Sequence, residues 1–344
     1  MLMIFLRILL FPFAIVYDLI TSIRNFFFDV GIFKQTSFKI PVVVVGNLSV
    51  GGTGKTPQIE YLIRLLKDNH KLAVLSRGYN RKTKGFVLLN ENHSAEAVGD
   101  EPLQYFKKFK NIDIAVDGNR VEGINTLLKQ KSPEIILLDD AFQHRKVKGS
   151  FYILLTKFDD LLTNDFLLPT GNLRESRKGA NRADVILVTK CPEDIDEIQQ
   201  EAIRKKLNVY KKEVFFTTIS YASKLSGHLE ISINELKKYE VLLITGIANP
   251  SPLLNFLNEK QVNFKHLKFA DHHHFSSSEI NNIERIFDET PSQNKIILTT
   301  EKDYTRLVHH LKRVSFIGIE TAFLENNNEL FNSLINSHIS KKRD

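Results

Sequence analysis

The stretch Pro41-Val-Val-Val-Val-Gly-Asn-Leu-Ser-Val-Gly-Gly-Thr-Gly-Lys-Thr-Pro57 limits what this chain can fold into more than any other. Four β-branched residues in a row suit a strand buried on both faces. The run breaks into a glycine-rich turn, after which Ile59, Leu62, Ile63 and Leu66 recur at helical spacing. Strand, glycine loop, Lys-Thr and helix make the P-loop arrangement. In such a loop the backbone N–H groups and helix N-terminus hold phosphate oxygens, a lysine adds positive charge and a threonine hydroxyl can ligate magnesium. Ser49, Val50, Gly51, Gly52, Thr53, Gly54, Lys55 and Thr56 are therefore the expected nucleotide-binding residues. The strict pattern has glycine where this chain has Ser49, so Gly51 and Gly52 are expected to supply the turn. A loop that merely joins strand to helix is the plainer alternative.

A chain of 344 residues can bury a substantial core and is expected to form two domains. The single cysteine, Cys191, excludes an internal disulfide. A net charge of +7 suits an anionic partner such as a nucleotide, a nucleic acid or an acidic lipid. No nucleic-acid partner is expected, because the lysines are dispersed and no matching motif is present.

Met1 to Ile20 is apolar apart from Arg7 and Asp18, and Ile23-Arg-Asn-Phe-Phe-Phe-Asp-Val-Gly-Ile-Phe33 follows. The longest unbroken apolar run, Ile8–Tyr17, falls short of the roughly 20 residues a spanning helix needs. No basic stretch precedes it and no small-x-small site follows, which argues against a signal peptide. Residues 1–34 are expected to form an apolar helical segment lying in a membrane interface. Packing of that helix into the core is the alternative.

Further strands are expected at Lys71–Ser76, Ile112–Val116, Glu134–Asp139, Phe151–Thr156, Val185–Thr189 and Val214–Ile219. Loops at the carboxyl ends of such strands line the ligand crevice of an open α/β sheet. Arg77, Tyr79, Arg81 and Lys82, after the second strand, would there meet an anionic substrate or else form a solvated loop. Asp100 and Glu101 open a helix, where acidic residues commonly just complement the helix dipole. Asp139 and Asp140 end a buried strand in the manner of a Walker B element, whose carboxylate holds magnesium together with the P-loop hydroxyl. Arg174 and Glu175 suit phosphate and metal contact or a surface salt bridge. Thr189-Lys190 lacks the aspartate of a guanine-specificity motif, which argues against a GTPase switch or metallochaperone.

The expected fold is α/β: a P-loop NTPase-type α/β/α sandwich with a second, smaller α/β domain and an apolar N-terminal helix. Its divisions are 1–34, a P-loop domain over 35–220, a connector over 221–235 and the smaller domain over 236–344, with a frayed tail at 340–344. Within the smaller domain, Asp271-His-His-His274 invites a metal reading. Adjacent residues on a strand point to opposite faces, so one histidine paired with a carboxylate is chemically more economical. A phosphoesterase built on it would leave the P-loop idle.

The P-loop, Gly99-Asp-Glu-Pro102, Asp139-Asp-Ala-Phe-Gln-His-Arg145, Gly171-Asn-Leu-Arg-Glu175, Asp271-His-His273 and Thr300-Glu-Lys-Asp303 occur in that order. With them the chain resembles the tetraacyldisaccharide 4′-kinase (lipid A 4′-kinase) family from the apolar N-terminus nearly to the C-terminus. It departs from the family's usual Asp-Asp-Gly at Ala141, a small change if that position is not at positive φ. The resemblance implies transfer of the ATP γ-phosphate to the 4′-hydroxyl of a lipid A disaccharide 1-phosphate precursor. It implies ATP and Mg2+ as cofactors and the cytoplasmic face of a Gram-negative inner membrane as location. It also implies Asp100 as the base, oriented by His272, with Lys55 and Arg174 acting on the phosphates. Thr56, Asp139, Asp140 and Glu175 are the expected metal group, and Arg77, Tyr79, Arg120, Gln143 and His144 the candidates for substrate contact.

Overall fold

The computed structural model describes residues 10–271 and 273–343. Helix α1 (Phe11–Asp29) starts at a proline turn and stops ahead of Gly31, which takes a positive φ. The first unit continues through β1 (Val42–Asn47), α2 (Lys55–Leu66), β2 (Leu72–Ser76), β3 (Val87–Leu88), the single turn α3 (Ala95–Val98), α4 (Asp100–Lys108) and β4 (Asp113–Val116). It goes on through α5 (Arg120–Lys131), β5 (Ile135–Asp139), β6 (Phe151–Lys157), β7 (Val185–Thr189), α6 (Glu197–Leu207) and β8 (Glu213–Tyr221). The second unit holds β9 (Ser226–Gly227), β10 (Glu240–Thr245), α7 (Ser251–Glu259), β11 (Asn263–Lys268), α8 (Ser277–Glu289), β12 (Lys295–Thr300), α9 (Glu301–Leu307) and β13 (Val314–Ile317). The chain closes with β14 (Ile319–Phe323) and α10 (Asn328–Arg343).

Among the described residues the larger sheet runs β14-β8-β7-β6-β1-β5-β2-β4-β3. The strands from β8 to β4 are parallel, and antiparallel β14 and β3 form the two edges. β1 lies between β5 and β6, where the winding changes direction. A ligand crevice opens beyond the carboxyl ends of strands at such a point. The valine run is there because both faces are covered. Val43 and Val45 pack with Ile59, Leu62 and Ile63 of α2, whereas Val42 and Val44 face Ile124 and Leu127 of α5. The smaller sheet has the order β11-β10-β12-β13-β9, parallel except for β9.

Two expected boundaries change. The smaller domain does not extend over 236–344, because β14 returns to pair antiparallel with β8 in the larger sheet. The expected frayed tail lies largely within α10, whose Phe331, Ile335 and Ile339 enter the core beneath α2. Burying each of those side chains stabilises the return by roughly 1.5–3 kcal/mol. The expected connector is also structured, since β9 within it pairs with β13.

α1 turns Ala14 and Phe28 inward and leaves Phe13, Ile15, Val16, Leu19, Ile20 and Phe26 exposed. No helix among the described residues is long and apolar enough to cross a membrane.

Candidate active site

The loop after β1 is shaped by two glycines at positive φ, Gly51 (φ 98°) and Gly54 (φ 83°). Left-handed backbone of this kind costs glycine little and other residues more. Gly52, expected to share the turn, is not at positive φ. Ser49 has ordinary backbone too and forms a bridge with Leu173, so glycine is not needed there. The Val50 N–H donates to the Asn172 carbonyl (2.8 Å) and the Arg174 N–H to the Leu48 carbonyl (2.7 Å). The segment 172–174 thus runs beside the loop and delivers Arg174 to it. At the far side, Thr189 of β7 donates its hydroxyl to the Thr53 carbonyl at 2.9 Å.

Lys55 opens α2 and points back over the loop, with its Nζ 3.4 Å from Asn47 Oδ1 and 3.6 Å from Asp140 Oδ1. Arg174 donates to Asp140 Oδ1 at 3.0 Å and to the Asn47 carbonyl at 3.1 Å. Burial alone would raise the Asp140 carboxyl, but Lys55 and Arg174 hold it below the usual range. Asp139 has the opposite fate. Burial, with Asp140 and Glu101 nearby, pushes its carboxyl up to about 7 despite Lys55 and Arg120. Its Oδ2 is 3.4 Å from the Tyr105 hydroxyl, which lies within reach of Thr56, and its Oδ1 is buried with no hydrogen-bond partner among the described residues. A buried carboxylate oxygen with an idle lone pair, next to a threonine hydroxyl, is an oxygen-donor set that fits a hard divalent cation. The residue at positive φ in this turn is Asp140 (φ 47°) rather than Ala141, so alanine fits where the family usually has glycine.

Glu175, expected among the metal group, takes a different place. Its carboxylate accepts from Asn25 of α1 (2.7 Å), Arg182 (2.8 Å) and Gln143 (3.1 Å). Gln143, expected to touch substrate, donates to Glu175 and to the Asn47 carbonyl (2.8 Å), and so braces the end of β1. These bonds belong to a wider attachment of α1. Tyr17 donates to the Arg174 carbonyl (2.9 Å), Arg24 to the Gln143 carbonyl (3.0 Å), and Arg145 to Asp29 (2.6 Å). The polar side of the apolar helix is thereby fastened to the loops that carry Arg174 and follow Asp140.

Asp100 begins α4, where Gly99 (φ 95°) packs on Gly78 with no room for side chains. That contact sets the start of α4 against the loop after β2. From the second unit Arg306 donates to both Asp100 oxygens, Nε at 2.8 Å and Nη2 at 2.6 Å. His272, expected to orient Asp100, lies outside the described residues. His273 bonds Glu279 (3.0 Å), and His274 is exposed near Glu96. The Thr300-Glu-Lys-Asp303 motif acts at the start of α9. Thr300 caps the helix by accepting from the Asp303 N–H (3.2 Å), and Asp303 accepts from the Gly246 N–H (2.8 Å). Glu301 reaches Lys108 of α4 (2.8 Å), which also meets Glu60 of α2 (2.7 Å).

The family model for tetraacyldisaccharide-1-P 4′-kinase matches residues 6–339. The chain belongs to this family. It is 53% identical over 324 residues to the tetraacyldisaccharide 4′-kinase of Flavobacterium johnsoniae, covering 93% of both chains. It is 43% identical over 351 residues to that of Bacteroides thetaiotaomicron, with 96% of this chain and 92% of the relative covered. The crystal structure of LpxK from Aquifex aeolicus in complex with ATP superposes with a TM-score of 0.78 at 32% identity, covering 97% of this chain and 99% of that one. As a member of the tetraacyldisaccharide 4′-kinase family the protein is a phosphotransferase with a hydroxyl acceptor.

In this family member three of the remaining substrate candidates, Arg77, Arg120 and His144, lie within electrostatic reach of one another near Asp139. Arg120 is buried, donates to the Asp117 carbonyl and approaches the Asp139 carbonyl (3.4 Å). Burial lowers its guanidinium to about 10. Burial, followed by Arg120, Lys146, Arg24 and Arg77, pushes His144 down to about 4, so it is a neutral imidazole amid cations. Tyr79 is exposed, Arg81 donates to the Gly85 carbonyl, and Lys82 pairs with Glu96 at 2.6 Å. Sequence reasoning missed Asn47 and Tyr105, and it named Glu101 and Lys190 without a place at the phosphate site. Asn47 had a signal, as the one polar side chain ending the valine strand. Lys190 comes to the P-loop, with its Nζ 3.9 Å from where a Cβ on Gly52 would lie, and only the sheet order brings it there.

Proposed function

We propose that the protein transfers the γ-phosphate of ATP to the 4′-hydroxyl of a tetraacylated glucosamine disaccharide 1-phosphate, a lipid A precursor. It does so at the cytoplasmic leaflet of a Gram-negative inner membrane. The observation that carries the reading is the attachment of an apolar, outward-facing helix to the very loops that hold Arg174 and follow Asp140. A phosphate site fixed to a lipid-facing surface suits an acceptor whose acyl chains stay in the bilayer.

Phosphoryl transfer depends mostly on positioning and charge neutralisation. The backbone from Ser49 to Thr56 would cradle the phosphates, with Lys55 and Arg174 neutralising their oxygens. Thr56 and Asp139, with Asp140 and Glu101 close by, would hold Mg2+. The ion supplies further charge neutralisation at the phosphates. Asp100 accepts the proton of the 4′-hydroxyl as its oxygen bonds the γ-phosphorus and the bond to the β-phosphate oxygen breaks, releasing ADP. The role of His272 beside Asp100 rests on the family resemblance. Radiolabelled ATP and the lipid disaccharide 1-phosphate in detergent micelles test the reading. A labelled bisphosphorylated lipid is expected, with turnover lost in Asp100→Ala while the ATP KM stays within a few-fold. Hydrolysis of ATP without labelled lipid, or near-normal turnover by Asp100→Ala, would count against it.

A further inference from the structure

Asp100 and Arg306 come from different units and lie 206 residues apart in the chain, yet they form a two-pronged ion pair. Both side chains are largely buried, 4% and 13% exposed. The third arm of the guanidinium, Nη1, donates to the His273 carbonyl at 2.7 Å. Arg306 is thus anchored to the segment after Asp271 while it grips the carboxylate.

We propose that Arg306 is a positioning residue for phosphoryl transfer, fixing the plane of the Asp100 carboxylate and tying its readiness to the seating of the second unit. The inference rests on the reading of Asp100 as the base. A carboxylate in the first turn of a helix can rotate about its side-chain bonds, and a base that rotates loses alignment with its hydroxyl. The planar fork of arginine holds both oxygens at once, which a lysine ammonium cannot do. The guanidinium also sets a positive charge beside an anion that would otherwise repel the incoming phosphates.

A simple domain fastener would not need this position. The units are already joined through Lys108 between Glu60 and Glu301, and a buried ion pair is often replaceable by apolar groups without loss of stability. Charged groups around Arg306 favour a directed role as well. Glu96 lies within its electrostatic reach, but Lys82 bonds Glu96 (2.6 Å) and His274 approaches it (3.9 Å). Arg306 spends its own hydrogen bonds on Asp100 and the His273 carbonyl.

The test uses the full chain in the lipid micelle assay with Arg306→Gln, Arg306→Lys, Arg306→Ala, Asp100→Asn and the double variant Asp100→Asn/Arg306→Gln. Arg306→Gln is expected to lower kcat on the order of 10²-fold, the scale of one misplaced acid–base group, with the ATP KM changed less than about twofold. Arg306→Lys should recover only part of the loss, and added guanidinium should raise the turnover of Arg306→Ala. Because Arg306 acts through Asp100, the double variant should be no slower than Asp100→Asn alone. Multiplying losses in the double variant, or normal kcat in Arg306→Gln beside an inactive Asp100→Asn, would overturn the positioning role. If Arg306→Gln fails to fold, guanidinium rescue of Arg306→Ala and the partial activity of Arg306→Lys decide the matter, and absence of both refutes it. Wild-type turnover in Asp100→Asn is a separate outcome. It would refute the base itself, and the positioning role with it.

Discussion

Replacing Lys108 with methionine takes one cation from between two buried carboxylates. The Lys108 Nζ lies 2.7 Å from Glu60 and 2.8 Å from Glu301, whose side chains are 1% and 8% exposed. Burial, and then Glu301, push the Glu60 carboxyl from 4.5 up to about 7 even with Lys108 present. A raised acid is protonated more readily in the folded than in the unfolded state. Its stability cost is therefore absent below the unfolded value and fully present above the folded one. Across that window, from 4.5 to about 7, Glu60 lowers wild-type stability as pH rises. The size of the change is about 3 kcal/mol. Without Lys108 the two carboxylates repel with Arg64, 3.7 Å from Glu60, left as a partial counter-ion, and breaking a buried pair in this way costs about 3–5 kcal/mol. The chain has 344 residues. With an unfolding entropy of about 2.1 cal/mol/K per residue, Lys108→Met should lower Tm by about 4–7 °C near pH 8. Near pH 5.5 Glu60 is mostly protonated in the folded state, so the loss should shrink to about a third of that. Calorimetric melts of both proteins at the two pH values measure the difference. Equal losses at the two pH values, or a loss under about 1 °C near pH 8, would refute the charge argument.

Two further outcomes follow from the site and the helix. Asp139→Asn removes a charge whose carboxyl burial pushes up to about 7, so the free protein should gain about 1–3 kcal/mol near pH 8. The same variant should lose the rise in Tm that magnesium and ATP give the wild type, and melts with and without them would expose a variant that instead keeps the rise. Ile20→Glu combined with Phe26→Glu alters two exposed side chains of α1. It should weaken binding to anionic vesicles at least ~10-fold while moving Tm by less than about 1 °C, as vesicle sedimentation and melting would report.

Much of the fold was legible in the sequence because its signals are local. The valine run, the glycine turn and the Ile59-to-Leu66 spacing each report on a few consecutive residues, and the structure forms β1, the loop and α2 from them. Asp139 and Asp140 were readable for the same reason, as carboxylates ending an apolar strand. The return of β14 was not readable. Ile319–Phe323 alternates well enough for a strand, but nothing in it names β8 as its partner. The surroundings of Glu175 were unreadable on similar grounds, since its neighbours Asn25, Gln143 and Arg182 converge only in the folded chain.

By itself the sequence determined the phosphate loop, the carboxylate pair, an apolar first helix and the family. Those properties reside in runs of adjacent residues whose backbone preferences and periodicity act over one strand or one turn. Only the tertiary structure decided that Lys55 and Arg174 flank Asp140, that α1 is fastened to the Arg174 loop, and that Arg306 closes on Asp100. Each of those joins side chains far apart in the chain, and such contacts form where packed elements bring their ends together rather than where local preference points.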